Sequence, residues 1–164
     1  MPNQSTNPAD VEHRLWDEIE RHGVGMLAIE LVGPRAWPMT AYVEREHRRV
    51  WFFCRHDSDL ARAADIGRPA LFAFQQRELQ AALTGRLRET RDPDRMDRFW
   101  NAVAAAWHPG GKGDPDLTLL CLDCDAAEVW ISADGPFRFA WEIAKANATH
   151  RQPDLGAHTH LQFH

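Results

Sequence analysis

The sequence predicts a mainly β chain with helices (an α+β chain), folded as a small, mostly antiparallel β-barrel of about six strands. Two observations carry this expectation. Short runs rich in β-branched and aromatic residues recur between residues 24 and 132, each closed by glycine, proline or a charged cluster. Helical patterns interrupt them at a few fixed places instead of following every strand, so the βαβ alternation of a parallel sheet is missing. A third observation bounds the size: 164 residues with 44% hydrophobic and 26% charged side chains suffice for one core without staples. Residues 1–164 are therefore read as one domain.

Taken in order, residues 1–7 are polar. Asn7-Pro8-Ala9-Asp10 has the form of a helix start, with Asn7 as N-cap and Pro8 in the first helical position. Val11, Leu15, Trp16 and Ile19 form an apolar stripe, and Gly23 ends a helix over about 8–22. The segments GMLAIELVG, WPMTAYVE and RVWFFCR are three antiparallel strands, broken by Gly33-Pro34 and by the charged run Glu44 to Arg49. Asp57-Ser58-Asp59 caps a short helix over about 57–66, and Gly67-Arg68-Pro69 stops it. PALFAFQ and LQAALTGRLRE form a strand pair. Asp92-Pro93 starts an amphipathic helix over 93–106 with the stripe Met96, Phe99, Val103, Trp107. HPGGKGDPD is a loop, and LTLLCLDCDAAEVWIS is a long strand or a pair of strands closing the barrel near 132. A helical pattern and a polar tail fill 136–164.

Composition narrows the function. A net charge of −5 points away from nucleic acid, whose binders carry an excess of Lys and Arg on one face. No run is long enough to cross a bilayer, and MPNQSTNPAD lacks the apolar core of a signal peptide. An odd cysteine count of 3 fits free thiols in a reducing, cytoplasmic compartment. The 7 tryptophans serve cores, dimer interfaces and aromatic ligands alike, so they do not choose among these.

Several local sequences, in this order, resemble the pyridoxamine 5'-phosphate oxidase-like FMN-binding split barrels, specifically their general stress protein branch. They are Pro38-Met39-Thr40, Val50-Trp51-Phe52-Phe53-Cys54, Trp107-His108-Pro109-Gly110-Gly111 with Asp114-Pro115-Asp116-Leu117, and Ala127-Glu128-Val129-Trp130. The match spans about residues 10–132. It implies a flavin-reductase/PNP-oxidase-like barrel, a homodimer, and FMN held between the subunits, where a large flat ligand is better buried than in a small barrel alone.

FMN asks for aromatic or apolar cover on its ring, amide-type hydrogen bonds at the ring edge, and cations or helix amides at its phosphate. The resemblance places Met39, Thr40, Phe53 and Cys54 near the ring, with Trp107 and Trp130 as further cofactor neighbours. It also places Gln80 where a flavin-contacting glutamine stands. At the phosphate end Ser58 and the amides after it remain, but Trp37, Asp59 and Leu60 occupy positions where the family has basic residues. Arg35 is the candidate substitute, two residues before Trp37 and on the same strand face. Arg62 follows Leu60 by two positions and is expected to face away.

The expectation is thus an FMN-binding oxidoreductase-like protein of the general stress type, working by hydride or electron transfer with no dedicated side-chain nucleophile and no nameable substrate. The alternative is a degenerate barrel that has lost FMN and binds another aromatic ligand, or haem, or acts by interaction alone. Other constellations take plainer readings. Cys121 and Cys124 have CxxC spacing but face opposite sides of a strand. His56, Asp57 and Ser58 are neighbours in sequence and not a triad. His150, His158, His160 and His164 of the tail make no native metal site.

Overall fold

The computed structural model describes residues 7–31, 33–132, 135–152 and 156–164. Helix α1 (Pro8–His22) begins as its sequence dictates: Asn7 Oδ1 accepts from the Ala9 amide, and Pro8 occupies the first turn. Its stripe Val11, Leu15, Trp16, Ile19 is buried. Gly23 closes it at φ +68°, a left-handed conformation that a side chain would strain, with its N–H on the Ile19 carbonyl.

The chain then forms β1 (Val24–Leu31), β2 (Gly33–Thr40) and β3 (Tyr42–Glu44). A single 3-10 turn (Arg45–His47) leads to β4 (Arg49–Arg55), α2 (Asp59–Ala64), β5 (Arg68–Gln75) and β6 (Leu79–Thr90). After α3 (Pro93–Phe99) and α4 (Ala102–Trp107) come β7 (Leu117–Ser132), α5 (Gly135–Thr149) and β8 (Gly156–Gln162). All pairings are antiparallel, in the order β2-β1-β5-β6-β7-β4-β3, with β8 on β7. The two ends of that order, β2 and β3, are separated in sequence by Ala41 alone, whose amide bonds the Gly23 carbonyl at 2.6 Å. The sheet therefore curls back toward its own beginning, which makes it a split barrel and leaves few open edges.

The 16 residues of β7 form the spine. β6 pairs along its length, while β4 takes the first half of its other edge and β8 the second. Opposite Thr84 and Gly85 the register shifts by one, with Asp125 the extra residue of a bulge in β7. At Gly85 a side chain would collide with the Asp123 carbonyl, so glycine is required. The main core fills the barrel and takes in α1 and α2. A second, smaller cluster of Trp51, Phe53, Ala104, Leu117, Leu119 and Cys121 lies outside it, under α3 and α4. Because the first half of β7 is covered on both faces, it reads as a continuous apolar run there.

Four expectations need correction. The sheet has eight strands among the described residues, not about six, because the WPMTAYVE segment divides at Ala41 between β2 and β3 and because β8 emerges from what reads as a polar tail. Alternation along AHTHLQF puts Leu161 and Phe163 in the core and His158 and His160 outside; this short histidine-rich pattern hides a strand. The helix over 93–106 is two helices. Trp100 turns extended (ψ 124°), directs its ring edge-on to Phe53 at 5.5 Å, and Asn101 caps the second helix through bonds to the Val103 and Ala104 amides. Packing of that aromatic outweighs helical propensity. The stripe also divides: Met96 and Phe99 pack on the second cluster, while Val103 and Trp107 are exposed. Finally, Leu60, which the resemblance sets at the phosphate end, is a core residue at 3% exposure.

Cys121 and Cys124 belong to the outer and inner clusters respectively, on opposite faces as their spacing demands. All three cysteines are free and buried. Burial pushes the thiols of Cys54 and Cys121 up to about 12, which makes them poor nucleophiles. No helix among the described residues is long and apolar enough to cross a membrane.

Candidate functional site

A cleft of about 430 Å³ opens between the β2–β3 strand, the end of β4 and helix α4. That is within the range of small-molecule sites. Met39 and Thr40 come from β2, and Phe53 and Cys54 from β4. Pro38, Tyr42 and Val24 complete the strand side, and Val103, Ala104, Trp107 and His108 form the helical wall. Consecutive residues of β2 and β4 both reach the cleft because it wraps around the strand ends.

Phe53 is its aromatic centre. It meets Tyr42 edge-on at 5.4 Å and Trp100 at 5.5 Å, with the His108 ring at 6.2 Å. Such tilted contacts fix ring orientation. The Tyr42 hydroxyl donates to Asn101 Oδ1 at 3.4 Å, tying the strand wall to the α4 cap. Burial raises the Tyr42 pKa and lowers that of His108, the latter helped by nearby Arg55. Both groups are therefore neutral at neutral pH, and the cleft lining carries no formal charge.

Helix α3, which leads into the helical wall, is anchored by Glu44, only 1% exposed. Its carboxylate accepts from Trp51 Nε1 at 2.8 Å and from Arg95 Nη2 at 2.7 Å, with Arg98 at 3.7 Å. Burial alone would raise its pKa, but the Arg95 and Trp51 hydrogen bonds outweigh that and hold it below the usual carboxylate range. Glu44, Glu46 and His47 stand close enough together to resemble a metal cluster. Arg95 and Arg98 already neutralise those carboxylates, so the cluster serves as a strut for α3.

The residues singled out in the sequence separate into three places. Met39, Thr40, Phe53, Cys54 and Trp107 converge in the cleft. Gln80 and Trp130, directly paired across β6 and β7, lie instead in a groove of about 320 Å³ on the outer sheet face. Val24 borders both cavities. Gln80 donates to the Gln76 carbonyl and accepts from Ser132, while Trp130 stacks on His158 at 4.9 Å. Ser58 and Arg35 lie at neither. Ser58 Oγ caps α2 through the Ala61 amide, and Arg35 faces Asp59 at 3.8 Å.

Arg62 is exposed on the side of α2 away from the buried Leu60, as expected, and bonds Asp59 three positions before it and the Asp57 carbonyl. Tyr42, Val103 and His108 are cleft residues that sequence reasoning missed. The signals were present: Tyr42 lies two positions beyond Thr40, Val103 lies one turn before Trp107, and His108 follows Trp107.

A flavin ring fits the cleft by chemistry, with aromatic and apolar cover and neutral polar groups at its margin. A phosphate does not fit: no cation lines the cleft. In the first turn of α2 the Ala61 amide is taken by Ser58 Oγ, and the arginines there are paired with aspartates.

Comparison with known proteins agrees with this geometry. The family model described as pyridoxamine 5'-phosphate oxidase like matches residues 10–154. A protein of Jannaschia sp. CCS1 assigned as general stress protein 26 is 36% identical with a TM-score of 0.78, over 94% of this chain and 99% of that one. A general stress family protein from Xanthomonas campestris pv. campestris is 36% identical, TM-score 0.72, over 80% and 93% of the two chains. The general stress FMN/FAD binding protein of Xanthomonas citri is 35% identical, TM-score 0.71, over 77% and 92%. Among curated proteins none matches. Cleft, barrel and comparisons agree: the chain belongs to the pyridoxamine 5'-phosphate oxidase-like family, in its general stress branch.

Proposed function

We propose that this protein is a flavin-binding, oxidoreductase-like protein that seats the flavin ring in the cleft between β2, β4 and α4. The observation that carries the reading is the convergence of Met39, Thr40, Phe53, Cys54 and Trp107 on one uncharged, aromatic cavity. The similarity to an FMN/FAD binding protein supports it. A bound flavin supplies hydride or electron transfer; the protein's residues orient the ring and exclude water. Cys54, buried and with a raised pKa, serves as ring cover and not as a nucleophile.

The working unit is a homodimer. Val24, Met26 and Trp130 are exposed on the outer sheet face, and Val103 and Trp107 at the cleft mouth. Exposed apolar side chains gathered in this way mark an interface. A second copy would bring its Gln80 and Trp130 groove against the cleft and cover the ring, which accounts for the separation of the predicted residues into two cavities. The three free thiols fit a cytoplasmic location.

The test is to titrate FMN and riboflavin into the purified full-length protein, following flavin fluorescence, with the mass measured by light scattering. Saturable quenching by at least one flavin on a dimer is expected. A monomer indifferent to both flavins at high micromolar concentration would contradict the reading.

A further inference from the structure

The chemistry of the chain changes abruptly at the end of β4. Cys54 lines the neutral cleft, and the next residues, Arg55 to Asp59, form a charged rim where α2 begins. Three arginines meet there, and each is committed to carboxylates. Arg35 of β2 stands over Asp59 at 3.8 Å, and Arg62 closes on the same Asp59 from the other side. Arg55 holds Asp57 at 3.0 Å and Asp116 at 3.4 Å. Three cations thus face three anions, and the rim is neutral.

Two of the backbone donors in the first turn of α2 are engaged as well. Ser58 Oγ takes the Ala61 amide, and the Ser58 carbonyl takes that of Arg62. Asp57 and Asp59 are each about 60% exposed, so an arriving dianion meets two carboxylates directly. Hydrogen bonds from Arg55 hold the Asp57 carboxyl below its usual range, so it stays ionised. These exposed pairs are individually weak. Their consequence lies in the sum, because a phosphate site is made from cations left uncompensated. Trp37, two residues from Arg35, packs against the main core and adds no charge.

We infer that the cleft selects an aromatic ligand without a phosphate, of the riboflavin class, and that Asp59 is the residue that sets this selection. The inference rests on the flavin reading above and narrows it: the ring is recognised and the phosphate is not.

Riboflavin and FMN, titrated in parallel into the wild type, Asp59→Asn and Asp59→Arg, separate the two. The wild type should bind riboflavin at least as tightly as FMN. Asp59→Arg removes an anion and supplies a cation, so it should tighten FMN binding by about tenfold or more, the scale of one charge-assisted hydrogen bond. Riboflavin affinity should be unchanged, Asp59→Asn should show a smaller gain, and the FMN gain should shrink at high salt. Circular dichroism checks that the exposed substitution leaves the fold intact. Tighter binding of FMN than of riboflavin by the wild type would overturn the inference and leave the flavin reading standing. Absence of any FMN gain in Asp59→Arg would overturn the role of Asp59. Failure of every variant to bind either flavin would overturn the flavin reading and this inference together.

Discussion

The cleft and the charged rim at α2 meet between Cys54 and Arg55, yet they are built on opposite principles. Cleft residues such as Phe53, Cys54 and Ala104 are also parts of the two apolar clusters, so changing them disturbs the fold. Rim residues Arg35, Asp57, Asp59 and Arg62 are exposed and touch mainly one another. Exposed ion pairs contribute only about 0–1 kcal/mol each, so the rim can lose or invert its charges with little effect on folding. A constrained apolar cleft and a freely variable charged rim are thus compatible in one barrel, because only the first is tied to stability.

The largest effect on this contrast should come from Glu44→Ala. It leaves Arg95 and the Trp51 indole without their buried partner and releases the strut behind the helical wall. A loss of about 3 kcal/mol is expected in urea unfolding, the lower end for a broken buried pair because Arg95 is part-exposed. A cost under about 0.5 kcal/mol, typical of surface changes, would show that the wall does not depend on this carboxylate.

Trp107→Ala should behave inversely. At 75% exposure the side chain contributes little to folding, so stability should stay within about 0.5 kcal/mol. Loss of an aromatic face over the ring should weaken riboflavin binding by about tenfold, or 1.4 kcal/mol. Unchanged affinity would remove α4 from the binding wall.

Exposed charge with a structural task occurs at the β7–β8 seam, where Glu128 accepts from both His158 and His160. The Glu128 bond, aided by Gln162, raises the His160 pKa; bonds from His160 and His158 lower that of Glu128. The histidine's contribution is complete below its unfolded value near 6.5 and is lost as pH rises through the higher folded value. The glutamate's is complete above 4.5 and is lost as pH falls through its lowered folded value. Docking of β8 should therefore be strongest between these values and weaken on either side, read as amide-exchange protection of Thr159 and Leu161. A flat profile, or one that His160→Ala leaves unaltered, would contradict this.

The smallest effect belongs to Arg35→Ala, which removes one exposed pair and touches no cleft residue. Stability should move by less than about 0.5 kcal/mol, and riboflavin affinity should not move. A marked loss of binding would return Arg35 to the site.

How much of this was legible in the sequence follows the same division. Helix caps, strand runs and the opposed faces of Cys121 and Cys124 are local, periodic features, and they were readable. That Met39, Thr40, Phe53, Cys54 and Trp107 gather was readable through motifs held in place by the barrel. What escaped depends on contacts across distant segments. Trp100 breaks its helix to reach Phe53, and β8 finds an edge on β7 more than 20 residues upstream. The separation of Gln80 and Trp130 from Met39 and Phe53 could not be seen either, since motif order says nothing about which cavity a strand face borders.

The central claim is that the cleft seats a flavin ring covered by a second copy of the chain. Crystals grown with riboflavin test it most directly. The ring should lie against Met39 and Phe53 beneath Trp107, with Gln80 and Trp130 of the other protomer closing over it. A ring bound elsewhere, or a cleft filled within a monomer whose Val24, Met26 and Trp130 face solvent, would contradict the account.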